Sequence, residues 1–141
     1  MKRYIYLIVV LSVAMISCRQ SVSNDPGNVA VALYTALTDG ESMQYVKDNI
    51  YFSDSARHKT FSNYLDIVAA SPQYRKNIQK ANVEYSVAEQ EINGDVANVV
   101  IVGTGPLGQK LRISVRLLRI DGEWKVDGNH GVWHNTRGNK Q

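Results

Sequence analysis

His130 and His134 stand four residues apart, a spacing that on a helix would bring two imidazoles to one face and begin a metal site. Gly131 and the surrounding Gly and Asn residues oppose a helix there. No Glu sits beside His130 to serve as the base of a zinc hydrolase. The pair reads as part of a solvated tail, and no metal ligand is predicted. Gly103-Thr104-Gly105-Pro106-Leu107-Gly108 satisfies the G-x-G-x-x-G pattern of dinucleotide sites. Such a site needs a helix next, whose N-terminus meets the pyrophosphate. The residues that follow, Leu111 to Leu117, alternate with period two instead, and Pro106 removes one of the N–H donors. A glycine-rich hairpin turn is the better reading, with no cofactor bound. Arg112 and Arg116 flank Ser114 on one strand face, where they could gather an anion. As a solvated outer face they would meet Glu89 or Glu91 on another strand. His58 is solitary and G-x-S-x-G is absent, so no nucleophilic triad is predicted.

Four aromatics remain as candidate lining of an interior pocket: Tyr34, Tyr64, Tyr85 and Trp124. Each offers a large apolar body and one polar tip, which suits a small ligand and equally suits a plain core. An acid–base enzyme would need a carboxylate beside them. Asp66 and Glu84 come nearest, and helix and strand parity turn both away from the apolar faces. No catalytic residue is therefore predicted. A bulge near Val87 or Leu117 would change this by swinging Glu89, Glu91 or Arg119 inward.

The elements that must position these residues fall into two halves. Asp25 caps a helix with Pro26 in its first turn, Val29, Ala30, Leu33, Ala36 and Leu37 on one face, and Gly40 at its end. A shorter helix from Ser42 turns Met43, Val46 and Ile50 inward. A third begins near residues 53–55, carries Phe61, Tyr64, Leu65 and Val68 on one stripe, and stops before Pro72. Residues 72–80 have no clear assignment. Beyond residue 81 the period becomes two. Val83, Tyr85 and Val87 alternate, Asn93-Gly94 marks a hairpin, and Val96 to Val102 reads as a central strand. Leu111, Ile113, Val115 and Leu117 alternate before a parity shift at Leu118. Asp121-Gly122 then turns the chain into a last strand with Trp124 and Val126 on one face. The expected fold is α+β: N-terminal helices packed on a curved, four-stranded antiparallel sheet.

The chain is 141 residues long, with 16 basic against 13 acidic residues. Met1-Lys2-Arg3 precedes an apolar run from Tyr4 to Ile16 broken only by Ser12. That run is shorter than the roughly 20 residues a bilayer-spanning helix needs, and it fits the core of a secretory signal. It ends Met15-Ile16-Ser17-Cys18, and Cys18 is the only cysteine. Loss of residues 1–17 leaves 14 basic against 13 acidic residues. So small a surplus cannot build the positive field of a nucleic-acid binder. The expected organisation is a signal peptide over 1–17, Cys18 and a polar tether over 18–25, one domain over 26–130 and a tail over 131–141.

The end of the apolar run resembles a bacterial lipobox, which implies that the Cys18 thiol is acylated and anchors the mature chain in a membrane. Arg19 after it, with no acidic run, implies the periplasmic face of the outer membrane. Asp25-Pro26-x-x-Val29-Ala30-x-x-Leu33-Tyr34-x-Ala36-Leu37-x-Asp39-Gly40 and Asp121-Gly122-Glu123-Trp124-Lys125-Val126 resemble the first helix and last hairpin of small lipoproteins in the nuclear-transport-factor-two-like superfamily. The resemblance covers about residues 26–128 and implies a cone with a cavity between sheet and helices. The superfamily holds isomerases, dehydratases, transport factors and many non-enzymes, so the fold leaves activity open. Three readings follow. The first is an envelope-anchored module that binds a small apolar ligand or a protein partner without chemistry. The second is an isomerase or dehydratase, and the third is an assembly module pairing two copies as a homodimer through the sheet. Cys18→Ser is expected to leave an unprocessed or soluble product, because each buried CH₂ of an acyl chain contributes about 0.8 kcal/mol of membrane affinity. Detergent-phase partition and acyl labelling that persist in the variant would refute the assignment.

Overall fold

The computed structural model describes residues 25–40 and 42–130. Cys18, the signal segment, most of the tether, the tail and His134 lie outside them. Helix α1 spans Pro26–Asp39. The Asp25 carboxylate accepts the Gly27 N–H at 3.3 Å, and Gly40, at φ 71°, returns its N–H to Ala36 O at 3.2 Å. Both caps thus supply partners for groups that helix geometry leaves orphaned. Helix α2 (Met43–Asn49) buries Met43 and Val46. Helix α3 (Ser55–Ala70) starts where Asp54 accepts the Ala56 N–H at 2.9 Å. Helix α4 (Pro72–Ala81) takes up the segment that had no assignment. Ser71 serves two helices at once: its N–H bonds Val68 O at the end of α3, and its hydroxyl accepts the Tyr74 N–H at the start of α4. With Pro72 fixing the first turn, a mostly polar segment needs only Tyr74 and Ile78 as an inward stripe, too few to stand out as periodicity.

The sheet has five strands in the order β1-β5-β4-β3-β2. They are β1 (Ile50–Tyr51), β2 (Glu84–Asn93), β3 (Val96–Thr104), β4 (Lys110–Ile120) and β5 (Glu123–Asp127). The expected four-stranded antiparallel sheet is corrected here. β2 to β5 do form an antiparallel meander, but β1 adds a parallel edge, with Ile50 opposite Val126 and Tyr51 opposite Asp127. Two residues carry no period of their own. Ile50 is buried as expected, but in a strand and not in α2.

The bulge falls in β2, not at Leu117-Leu118. β4 pairs without interruption, Leu117 opposite Val126 and Leu118 opposite Lys125. In β2 the register shifts between Val87 and Glu89. Before the shift Tyr85 and Val87 lie opposite Gly103 and Ile101; after it Gln90 and Ile92 lie opposite Val99 and Ala97. Those β3 residues face the helices, and Ile101, Val99 and Ala97 are all buried. The expected effect of a bulge near Val87 is thereby reversed: the extra residue, Ala88, keeps Glu89 and Glu91 on the outer face, whereas unbroken alternation would have turned them to the helical side.

The core lies between α1 and the inner face of β3, β4 and β5, centred on Leu33, Ile101, Val99, Leu117 and Val126, with Val46 and Leu65 from α2 and α3. Three positions expected to face inward are substantially exposed: Tyr64, Val87 and Leu111. Val87 lies on the edge strand and Leu111 near the β3–β4 turn, at the margins of the helical layer. Tyr64 sits on the outward side of α3, of which Leu65 is the buried residue. Trp124 is 2% exposed, with the Arg119 guanidinium 4.5 Å from its ring centroid. Trp124→Ala should cost about 3–5 kcal/mol, the range for deleting a large buried aromatic, and this is read as a lowered denaturant midpoint.

Candidate functional site

Two of the three tyrosines expected at the cavity, Tyr34 and Tyr85, form a packed cluster with Tyr74 at one end of the helical layer, while Tyr64 lies apart from them. Tyr34 on α1 and Tyr85 on β2 meet with ring centroids 5.8 Å apart at 56°, and Tyr34 is buried. The Tyr74 hydroxyl on α4 donates to Leu37 O at 2.6 Å. Burial pushes the Tyr34 phenol far above its ordinary range, and the neighbouring Tyr85 adds to the shift. Burial also raises Tyr85, partly offset by a hydrogen bond with Thr38. Tyr74 is raised by burial first and then by Tyr64, Asp39 and Tyr85.

The glycine-rich segment finds its role beside this cluster. A Cβ on Gly103 would lie 2.8 Å from Tyr85 Cε1, so the missing side chain is what lets that ring lie across β3. The Gly105 N–H donates to Gln109 O across the turn at 2.9 Å, and Gly108 takes φ 78°. The motif is a hairpin turn that packs a tyrosine.

Of the other expected site residues, Trp124 belongs to the core. Asp66 is ion-paired with Lys47 on the helical surface, and Glu84 is exposed on the edge strand. Arg112 reaches Glu89 at 3.0 Å across the outer face of the sheet. Arg116 lies 3.4 Å from Asp127, the buried charged residue among those described. Each arginine thus has a carboxylate partner, and Asp127 went unnoticed because the strand pattern marks Val126 and not its neighbour. No group of three or more metal-ligating side chains occurs among the described residues.

Tyr64 alone of the four aromatics lines an open groove, of about 670 Å³, between α3 and the turn after β5. Phe52, Phe61 and Tyr64 supply its rings, Arg57, Thr60 and Asn129 its polar groups, and Ala56 and Gly128 its narrow positions. Phe52 and Phe61, the two phenylalanines of the chain, meet at 5.4 Å and 51°. A Cβ on Gly128 would come within 2.6 Å of Phe52 Cε1 and 2.8 Å of Tyr51 O, so Gly128 seats that ring. Asn129 fixes the opposite wall: its Oδ1 accepts the Ser53 N–H at 3.4 Å, and its own N–H donates to Asp127 Oδ1 at 3.0 Å.

A second, polar groove of about 500 Å³ shares Phe52 and holds Lys47, Asp48, His58, Asp121 and Lys125. Its cations are already engaged. Lys47 pairs with Asp66, and Lys125 Nζ donates to Asp48 O at 2.7 Å in the last turn of α2, where carbonyls lack helical partners. His58 Nε2 lies 3.2 Å from Lys47 O. Sequence reasoning placed Phe61 on an inward stripe and did not single out Phe52. The groove forms because distant segments, residues 52–64 and 128–129, converge.

No protein-family model matches the chain, and no curated protein does. Among solved structures, an NTF2-like transpeptidase candidate from Campylobacter jejuni superposes with TM-score 0.59 at 23% identity, over 74% of this chain and 98% of that one. A SEC-C motif-containing protein from Rhodopseudomonas palustris reaches TM-score 0.43 at 15% identity, over 67% of this chain and 68% of that one, a likeness too low to build on. The chain carries the NTF2-like α+β fold. At this identity the likeness to the Campylobacter protein is one of fold.

The tyrosine cluster predicts an alkaline weakness. A phenol whose folded pKa is raised stabilises fully below its unfolded pKa, near 10. Above that the unfolded chain loses its proton first and stability falls as pH rises, by up to about 1.4 kcal/mol per pH unit per group. The denaturant midpoint should fall above pH ~10, and Tyr34→Phe should flatten that fall.

Proposed function

We propose that this chain is a lipid-anchored module of the bacterial cell envelope, on the periplasmic face of the outer membrane, that holds a small, largely apolar ligand without transforming it. The groove at Phe52, Phe61 and Tyr64 is the site. The observation that carries the reading is the composition of its walls: three aromatic rings, with no carboxylate, imidazole or thiol among the described lining residues. The Thr60 hydroxyl, the remaining nucleophile candidate, donates to Ala56 O at 2.9 Å within its own helix. Apolar concave surface with a few polar groups is the usual character of small-ligand sites. Acid–base chemistry needs a titratable group within hydrogen-bond reach of the substrate. The anchor rests on the Ser17-Cys18 junction after the apolar run.

Native mass spectrometry of the gently purified full chain tests the reading. A small-molecule adduct is expected, lost in Phe61→Ala and recovered from the wild-type chain chemically unchanged. An adduct that the chain converts to a product would establish the enzyme reading instead. An adduct whose mass is a second copy of the chain would establish assembly.

A further inference from the structure

The polar groups around the aromatic groove are unevenly satisfied, and the imbalance has a sign. Among the described residues, Arg112 and Arg116 have carboxylate partners, Arg119 lies over Trp124, and Arg75 donates to Ala69 O. Arg57, in the first turn of α3 and on the rim of the groove, is exposed and has neither an ion pair nor a hydrogen bond among them. The neighbouring Asp54 carboxylate is engaged as the cap on the Ala56 N–H. On the opposite wall Asn129 is oriented by a backbone donor. The Ser53 N–H requires an acceptor, so Oδ1 faces it and Nδ2 is left with two free N–H groups. Thr60 has its own proton committed to Ala56 O. Among the described residues the groove thus presents rings and two sets of unspent donors, the permanent cation Arg57 and Asn129 Nδ2, while the Thr60 oxygen is left only as an acceptor. Its complement is an apolar aromatic body bearing an anionic acceptor.

We infer that the groove selects small aromatic carboxylates, the ring lying among Phe52, Phe61 and Tyr64 and the carboxylate held by Arg57 with Asn129 beside it. This rests on the binding reading above and adds the ligand's chemical class. A planar guanidinium matches a carboxylate edge bidentately, and charge-assisted hydrogen bonds of this kind are the strong ones. Aromatic rings in offset or edge-to-face contact with an aromatic ligand add selectivity over an aliphatic body of similar size. The adjacent polar groove is the weaker place for the anion, because Lys47 is neutralised by Asp66 and Lys125 is tied to Asp48 O, with the Asp48 and Asp121 side chains alongside.

Equilibrium dialysis of the full chain against 2-naphthoate and 2-naphthalenemethanol, with a detergent-only blank, separates the two levels of the claim. The carboxylate is expected to bind at least about tenfold more tightly than the alcohol, the ratio one charge-assisted hydrogen bond supplies. Arg57→Gln should abolish that preference, bringing the carboxylate's affinity down to the alcohol's in the same variant. Arg57 is exposed, so the variant folds as the parent does. Equal binding of both probes, or a preference that survives Arg57→Gln, overturns the carboxylate inference and leaves the binding reading standing. Binding of neither overturns both. Binding that emerges only in a chain ending at His130 means that residues 131–141 occupy the groove, and overturns the inference as well.

Discussion

A single extra residue in β2 decides which side chains of that edge strand face the helix that covers the sheet. Side chains alternate strictly along a strand, so every residue after an insertion changes sides. With the bulge at Ala88, β2 presents Tyr85 and Val87 and then Gln90 and Ile92 to the helices, while Glu89 and Glu91 stay outside. Without it Glu89 and Glu91 would turn to the helical side of this edge strand, away from Arg112. Glu89 instead meets Arg112 on the outer face. The close approach of α1 depends on the same register. A Cβ on Gly27 would collide with Gln90 Oε1 at 2.4 Å and Val87 Cγ2 at 2.9 Å, so helix and edge strand touch there through a missing side chain. The bulge also twists an edge whose free backbone groups would otherwise invite pairing.

Once α1 is seated, the packing of the remaining helices is unequal. α1 contributes most of the buried helical residues, whereas α3 buries Leu65 alone and is tied to α2 by the Lys47–Asp66 ion pair near its middle. With one fully buried residue, and Phe61 and Ala69 only partly buried against the core, α3 leaves other apolar side chains short of partners. Tyr64 is 53% and Ile67 72% exposed. The aromatic groove is the consequence. Phe52, just after the short strand β1, leans on Gly128 and on Phe61, and the space beside them is open. The tyrosine cluster at the α4 end has the opposite character: Tyr34, Tyr74 and Tyr85 fill their volume with each other, and the hydroxyls of Tyr74 and Tyr85 meet polar groups of α1. The interior expected to hold a ligand is thus packed at that end, and open apolar surface lies instead on the outer side of α3.

What the amino-acid sequence determined by itself were the interactions that are local or strictly periodic. The caps of α1 at Asp25 and Gly40, the hairpin turns at Asn93-Gly94 and Asp121-Gly122, the inward face of β5, and the burial of Trp124 all depend on residues a few positions apart. Dihedral preference and side-chain alternation speak for themselves at that range. The tertiary structure alone decided what joins remote segments. β1 is too short to show a period and exists because Ile50 and Tyr51 find Val126 and Asp127. α4 is nearly all polar and exists because Ser71 and Pro72 start it and Tyr74 docks on α1. The groove needs Phe52, Phe61, Tyr64 and Gly128, brought together across some seventy residues. No local rule relates such positions, because convergence is a property of the whole packing, and a helix reports only which of its faces is apolar, not whether a neighbour will cover it.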